Sequence, residues 1–235
     1  RLGQLPAQLE TRLGLPGIPA AAETVALARD LALAEQTGAR VHFRGLSCAR
    51  ALEMLAEAKQ RHIAVTADVG VHQLFLTEED LEGFDSQCHL DPPLRTAADR
   101  AALRDAVRDG LVTAVCSDHQ PHEADAKLAP FPGTAPGMAA LETLLPLMLR
   151  LVAKDLLDLP TAIARLTSGP AAILGLPLGD LATGRVADVC VFDPQARWRV
   201  GPDAWLSQGR NTPFLGARMK GRARWTLLGG RVVHE

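Results

Sequence analysis

Apolar positions fall into two alternating rhythms along the first two thirds of the chain. Residues 23–38 (ETVALARDLALAEQTG) carry them at helical spacing and end on Gly38, a helix-stop residue. Residues 40–46 form a short, partly apolar stretch, and residues 47–60 again read as a helix. Residues 63–71 (IAVTADVGV) are β-branched and alternating, which predicts a strand. The helix predicted over 96–110 has the clearest boundaries, with Thr96 at the N-cap, Asp99 at the capping-box position and Gly110 at the stop. A buried-type strand follows over 111–117 (LVTAVCS), then a long apolar helix over 137–155 and another over 159–174. This succession predicts a parallel α/β architecture with about four strands.

The rhythm changes after about Gly175. Residues 188–193 (DVCVFD) predict a short strand, and residues 222–233 (RARWTLLGGRVV) two strands around Gly229-Gly230. Pro194, Gly201, Pro202, Asn211 and Pro213 between them are loop-makers. The expected organisation is an α/β part over 1–178 and a small, mainly β module over 179–235.

Composition narrows the function classes. The 235 residues are 47% hydrophobic and 22% charged with a net charge of −2, which excludes intrinsic disorder. The balance of 25 basic against 27 acidic residues argues against nucleic-acid binding by bulk charge. Cys48, Cys88, Cys116 and Cys190 lie far apart with no C-x-x-C, which is neither a disulfide framework nor a zinc ribbon and matches a reducing cytoplasm. No apolar run reaches the roughly 18 residues of a membrane span. The chain opens on Arg1, and residues 1–17, interrupted by Pro6 and Pro16, lack a signal-peptide core; a fragment or processed chain is expected.

In a parallel α/β barrel, chemistry sits where strands end. Three such ends carry polar residues: 41–47 (VHFRGLS), 66–73 (TADVGVHQ) and 116–122 (CSDHQPH); a proline-stiffened loop, 89–95 (HLDPPLR), lies between the last two. Asp118, with His119 and His122 one and four residues on, suits metal-assisted hydrolysis, the carboxylate binding a divalent ion and taking a proton from its water. It equally suits a helix N-cap followed by surface histidines. His72 is either a ligand or a structural histidine, Asp68 either functional or bonded to a neighbouring loop, and Asp91 either a site residue or a turn residue. Arg218, Arg222 and Arg224 either form an interaction face or are simply solvated.

In combination and in this order, several segments resemble the dihydroorotase branch of the amidohydrolase superfamily. Residues 13–19 with Ala22-Glu23 resemble its GxPGIPxxAE stretch, Asp91-Pro92-Pro93-Leu94-Arg95 its NPPLR, and Ser117–His122 its TDHAPH. Pro136-Gly137 with Leu141-Glu142-Thr143 resembles the loop and helix after the last barrel strand, and Asn211–Gly216 resembles NTPFxG. The resemblance implies the C-terminal part of a (β/α)8 metal-dependent hydrolase barrel plus a small β module. It implies zinc-assisted interconversion of dihydroorotate and N-carbamoyl-aspartate in pyrimidine biosynthesis. Carried over by position, Asp118 is the metal-bound general base, His122 and Asp91 contact substrate, and the backbone of Pro136 and Gly137 lines the pocket.

The departures from that pattern bear on activity. The family's H-x-x-H-x-S-T reads His42-Phe43-Arg44-Gly45-Leu46-Ser47-Cys48, so the second ligand position is Gly45, which has no side chain, beside a cationic Arg44. TPHH reads Gly70-Val71-His72-Gln73, and Asp91 stands where the family has asparagine. A carboxylate there, ~4 Å from an anionic substrate at an effective dielectric of ~20, is repelled by about 4 kcal/mol unless protonated, turned away or paired. The remaining metal ligands of the family lie upstream of the first motif. The chain alone is therefore expected to be inactive, with zinc weak or absent. It is expected to belong to a longer protein or to pair with another chain, since a half-barrel leaves strand edges open. Three readings follow: a silent dihydroorotase-like subunit of a homo- or hetero-oligomer supporting aspartate carbamoyltransferase; an active zinc dihydroorotase; or a hydantoinase-type enzyme, against which the Asp-Pro-Pro-Leu-Arg and Asn-Thr-Pro-Phe segments speak.

Overall fold

A computed structural model describes residues 13–15 and 17–235. The readings that rest on Pro6, on Pro16 and on the rest of residues 1–12 fall outside the described residues. By contact, the chain forms two compact units. One comprises the described residues up to Leu141 with Ser207–Pro213, the other Glu142–Leu206 with Phe214–Glu235. This division by compactness falls elsewhere than the 1–178 and 179–235 organisation read from sequence pattern.

The first unit is built from α1 (Ala20–Thr37), β1 (Val41–Phe43), α2 (Ala49–Gln60), β2 (Val65–Gly70), α3 (Ala97–Asp109) and β3 (Ala114–Cys116). The strands form one parallel sheet in the order β1-β2-β3, with Val41 opposite Val65 and Gly70 opposite Cys116. Helices cover a parallel sheet, so its strands become buried; Val65, Ala67 and Val69 of β2 are nearly inaccessible. Leu55 of α2 and Leu103 and Val107 of α3 supply the apolar stripe of each helix. The predicted capping box of α3 is present: Asp99 N–H donates to Thr96 Oγ1, and Thr96 N–H donates to Asp99 Oδ2, each at 3.1 Å. Asp99 Oδ1 also accepts from Ala49 N–H at 2.8 Å, so one carboxylate satisfies orphan donors at the starts of two helices.

Three of the motif residues meet in a buried polar cluster. Ser47 Oγ donates to Glu23, whose other oxygen accepts Ser47 N–H at 2.9 Å. Arg95, 5% exposed, donates from Nε to Ser47 Oγ at 3.0 Å and from Nη1 to the Ile18 carbonyl at 2.6 Å, with Glu23 3.7 Å from Nη2. A buried guanidinium is tolerated only when it is paired and hydrogen-bonded in this way.

The second unit holds α4 (Leu141–Val152) but for its first residue, α5 (Leu159–Ala164), α6 (Ser168–Leu174), and a sheet of β4 (Val189–Arg199), β5 (Arg218–Leu228) and β6 (Arg231–His234). The sheet is antiparallel in the order β4-β5-β6, with the β5–β6 turn at Gly229-Gly230 as expected.

Four expectations are corrected. The helix predicted from 137 begins only at Leu141, because residues 137–139 use their backbone groups elsewhere. Gly137 N–H donates to the His89 carbonyl, Ala139 N–H to the Asn211 carbonyl, and the Met138 carbonyl accepts from Gln120 N–H, all at 2.8 Å. The fourth strand is reduced, among the described residues, to one parallel bridge between His119 and Met138. The helix over 159–174 breaks at Thr167, and Pro170 falls in the first turn of the second piece; with no N–H to donate to the Leu166 carbonyl, proline fits a helix start and not a helix interior. Strand β4 runs on through Pro194, where a register shift between Asp193 and Arg197 removes the need for its missing N–H. Among the described residues no helix is long and apolar enough to cross a membrane.

The polar cluster yields a stability prediction. In the full-length protein, Arg95→Met strands a largely buried Glu23 carboxylate and should cost about 2–4 kcal/mol. Urea denaturation should show a lower midpoint with an unchanged slope; an unchanged midpoint would mean that the cluster contributes nothing to stability.

Candidate active site at the strand ends

Strand polarity brings the C-terminal ends of β1, β2 and β3 to one edge of the parallel sheet. Asp68 of β2 sits at the centre of this edge. Its Oδ2 is 3.0 Å from His42 Nε2, and its Oδ1 accepts Gly45 N–H at 2.7 Å and the Cys116 thiol at 3.5 Å. A carboxylate accepts, so His42 Nε2 carries the proton and Nδ1 faces the Thr66 hydroxyl at 2.9 Å. Burial, reinforced by Asp68, pushes the Cys116 thiol up to about 12, which keeps it a protonated donor. The reading of Asp68 as a residue bonded to a neighbouring loop is what the structure shows.

Gly45 takes the left-handed conformation at φ 70° and turns the chain at the end of β1. Arg44 then reaches Asp118, and its Nη2 donates to Asp118 Oδ1 at 2.8 Å, which raises the guanidinium pKa further. Gln120 Nε2 lies 3.3 Å from the same oxygen. Arg44 is 70% exposed and Asp118 only 15%, so the pair adds little stability; its consequence is that the carboxylate already has a cation. Asp118 has φ 46° and no helix follows it directly, so the N-cap reading is overturned.

His72 follows β2, is 2% exposed and has no hydrogen-bond partner on Nδ1 among the described residues. Burial drops its pKa to about 4 against the attraction of Asp118, so it is neutral at pH 7. Gln73 donates to the Pro92 carbonyl at 3.2 Å and holds the 89–95 loop in place. Asp91 on that loop is exposed, with no side-chain partner among the described residues.

The loops after β3 are joined by a residue that sequence reasoning saw only as a loop-maker within a motif. Asn211, 5% exposed, accepts His122 N–H at 2.8 Å and donates to the carbonyls of Gln120 and Gly137 at 3.0 and 3.1 Å. His122 Nε2 lies 2.9 Å from the Pro136 carbonyl, so that nitrogen is protonated and the ring is held against residue 136. Gly137 has φ 119°, and a Cβ there would lie 2.6 Å from the Gln120 side chain, so only glycine fits. His119 Nδ1 accepts from Ala140 N–H at 3.0 Å and is not a free surface histidine. The structure thus brings His122, Pro136 and Gly137 together and joins Asp118 to Arg44, the neighbour of Gly45 in sequence, while the Asp91 side chain has no hydrogen bond to the group among the described residues.

Behind these loops, Thr134 Oγ1 donates to the Phe131 carbonyl and lies 2.6 Å from His89 Nδ1. Its only proton is committed, so His89 Nδ1 is the donor. Burial, with the neighbouring Lys127 charge, lowers His89 to about 4. Lys127 donates to the Ala135 carbonyl at 2.7 Å, and burial brings it down to about 8. Nothing in its sequence surroundings singled out Lys127, and His89 entered only as the first residue of the 89–95 loop.

The donor set can be tested against a catalytic zinc ion. Such a site needs about three protein ligands. Gly45 offers none, Asp118 Oδ1 is engaged by Arg44, and no group of three or more His, Cys, Asp or Glu among the described residues is suited to a metal. These residues do not by themselves fit a metal centre.

Comparison with known proteins places this geometry in a lineage. Residues 8–233 match the model of the Amidohydrolase family. The chain belongs to the amidohydrolase family. Over 223 residues it is 55% identical to the dihydroorotase-like protein of Pseudomonas aeruginosa, covering 95% of this chain and 52% of that protein. It is 46% identical over 225 residues to the dihydroorotase of Syntrophotalea carbinolica, covering 96% and 53%. Among solved structures it is similar to the L-hydantoinase (dihydropyrimidinase) of Arthrobacter aurescens, with a TM-score of 0.84 and 28% identity over 92% of this chain and 49% of that one. The resemblance read from the motifs is borne out at the level of family, and the fold is a mixed α/β fold of amidohydrolase type. The chain spans about half the length of the curated relatives it matches.

Two outcomes follow for this amidohydrolase chain. Asn211→Ala removes three hydrogen bonds and should cost about 2–4 kcal/mol; limited proteolysis should show faster cleavage within 118–139, and an unchanged cleavage pattern would deny Asn211 its tying role. His89 titrates near 4 in the fold, below its ordinary 6.5, so its contribution is complete above about 6.5 and is lost as pH falls toward 4. Melting temperature should therefore drop across that window, and less steeply in His89→Gln; parallel curves would place the acid sensitivity elsewhere.

Proposed function

We propose that this chain is part of a dihydroorotase-like protein of pyrimidine biosynthesis that is catalytically impaired and acts as a cytoplasmic subunit supporting aspartate carbamoyltransferase in a homo- or hetero-oligomer. In this reading the three parallel strands are the C-terminal share of a (β/α)8 barrel. The observation that carries it is the 2.8 Å bond from Arg44 to Asp118 beside a Gly45 that offers no donor. A guanidinium neutralises the carboxylate, but it stays protonated at every working pH and has no site at which to bind and activate water. The 55% identity to a relative named dihydroorotase-like protein supports the same reading. The carbamoyltransferase partner rests on the motif resemblance.

A second reading, an active zinc dihydroorotase, is favoured by one observation. In the neighbourhood of Asp118, His72 presents a buried Nδ1 that has no partner among the described residues, which is where an additional ligand would gain most. Relatives named dihydroorotase, at 42–46% identity, favour it as well.

Zinc content and turnover of the full-length protein, purified from zinc-replete cells, separate the two. The proposal expects substoichiometric zinc, no turnover of dihydroorotate, and co-elution with aspartate carbamoyltransferase. Near-stoichiometric zinc with turnover would overturn it. Gly45→His sharpens the test: a Cβ there meets only Pro92 Cδ at 3.9 Å, though the left-handed backbone costs about 1–2 kcal/mol. Zinc content should stay low in Gly45→His alone, since Arg44 still holds Asp118, and rise when Arg44→Gln is added. A rise in the single variant would show that Arg44 is not the obstacle.

A further inference from the structure

Strands β4 and β5 carry four cations at matched positions. Arg197 stands opposite Lys220, and Arg199 opposite Arg218, on the antiparallel ladder. Residues two apart on a strand share a face, and so do residues directly opposite, so all four project from the same side of the sheet. All four are exposed, and none has an acidic partner among the described residues. Neighbouring cations show the alternative: Arg224 lies 3.4 Å from Asp193, and Arg222 lies over the Trp198 ring at 5.9 Å.

Like charges placed directly opposite destabilise a strand pair, and two such pairs stand in succession here. The fold does not require them, because any polar residue serves an exposed strand position. The chain as a whole carries a net charge of −2, so the cluster is local and does not reflect general basicity. Arg197, Trp198, Arg199, Arg218, Met219 and Lys220 line a cavity of about 710 Å³. Arginine is enriched in protein–protein interfaces, and its fork pairs with carboxylates through two parallel hydrogen bonds.

We propose that this face of the β4–β5 hairpin docks a carboxylate-rich segment of a partner protein, whose charges relieve the repulsion between the facing cations. A nucleic acid is the less favoured polyanion, because phosphate-backbone binding draws on wide positive surfaces that a near-neutral chain lacks.

Fluorescence anisotropy on the full-length protein tests this with a labelled poly-glutamate peptide, a poly-glutamine peptide of equal length, and a single-stranded DNA of matched charge. The glutamate peptide should bind, the glutamine peptide should not, and binding should weaken with salt. Arg197→Glu with Arg199→Glu should weaken binding by about tenfold or more, and should also raise the melting temperature, since both facing pairs become opposite in charge. If that variant melts below the wild type, Arg218→Gln with Lys220→Gln gives the same binding comparison. Equal binding of the two peptides, binding unaffected by either variant, or tighter binding of the DNA would each overturn the proposal.

Discussion

The bond from Gly45 N–H to Asp68 Oδ1, 2.7 Å long, fixes the turn at the end of β1. Asp68 is held in the middle strand by the ladder and accepts on both oxygens, so the turn has little freedom. A left-handed residue at position 45 lets the amide point inward while Arg44 passes along the strand ends toward Asp118. The arrangement of charge at this edge follows: one carboxylate is satisfied by an imidazole, an amide and a thiol, and the other by a guanidinium. A side chain at residue 45 would have room for its first carbon and would pay in backbone conformation.

The motif residues serve structure more visibly than chemistry. Glu23, Ser47 and Arg95 come from three separate motifs and form one buried cluster that no single segment could satisfy alone. Asn211 uses its whole amide to tie the loops after β3, which keeps His122 and the backbone of Pro136 and Gly137 in register. A framework of this kind holds without a bound ion, because its energy comes from buried hydrogen bonds whose removal leaves desolvated partners behind.

Much of the fold was legible in the sequence because its signals are local. The capping box at Thr96 and Asp99, the alternation in β2 and the Gly229-Gly230 turn each depend on a few neighbouring residues. What escaped depended on partners distant in sequence. Nothing local forbids a helix over 137–140; it is the bonds to His89, Gln120 and Asn211 that draw this backbone away. Pro194 looked like a strand breaker because a bulge cannot be seen without the opposing strand. At the site, the want of a side chain at Gly45 could be read from the motif. The capture of Asp118 by Arg44 could not, since the two residues are 74 positions apart.

The account stands on what occupies Asp118. Crystals of the full-length protein grown with excess zinc, and measured on both sides of the zinc absorption edge, report this directly. The account predicts electron density for the Arg44 guanidinium on Asp118 Oδ1 and no anomalous peak beside it. A strong anomalous peak within coordination distance of Asp118, with Arg44 turned away, would contradict it.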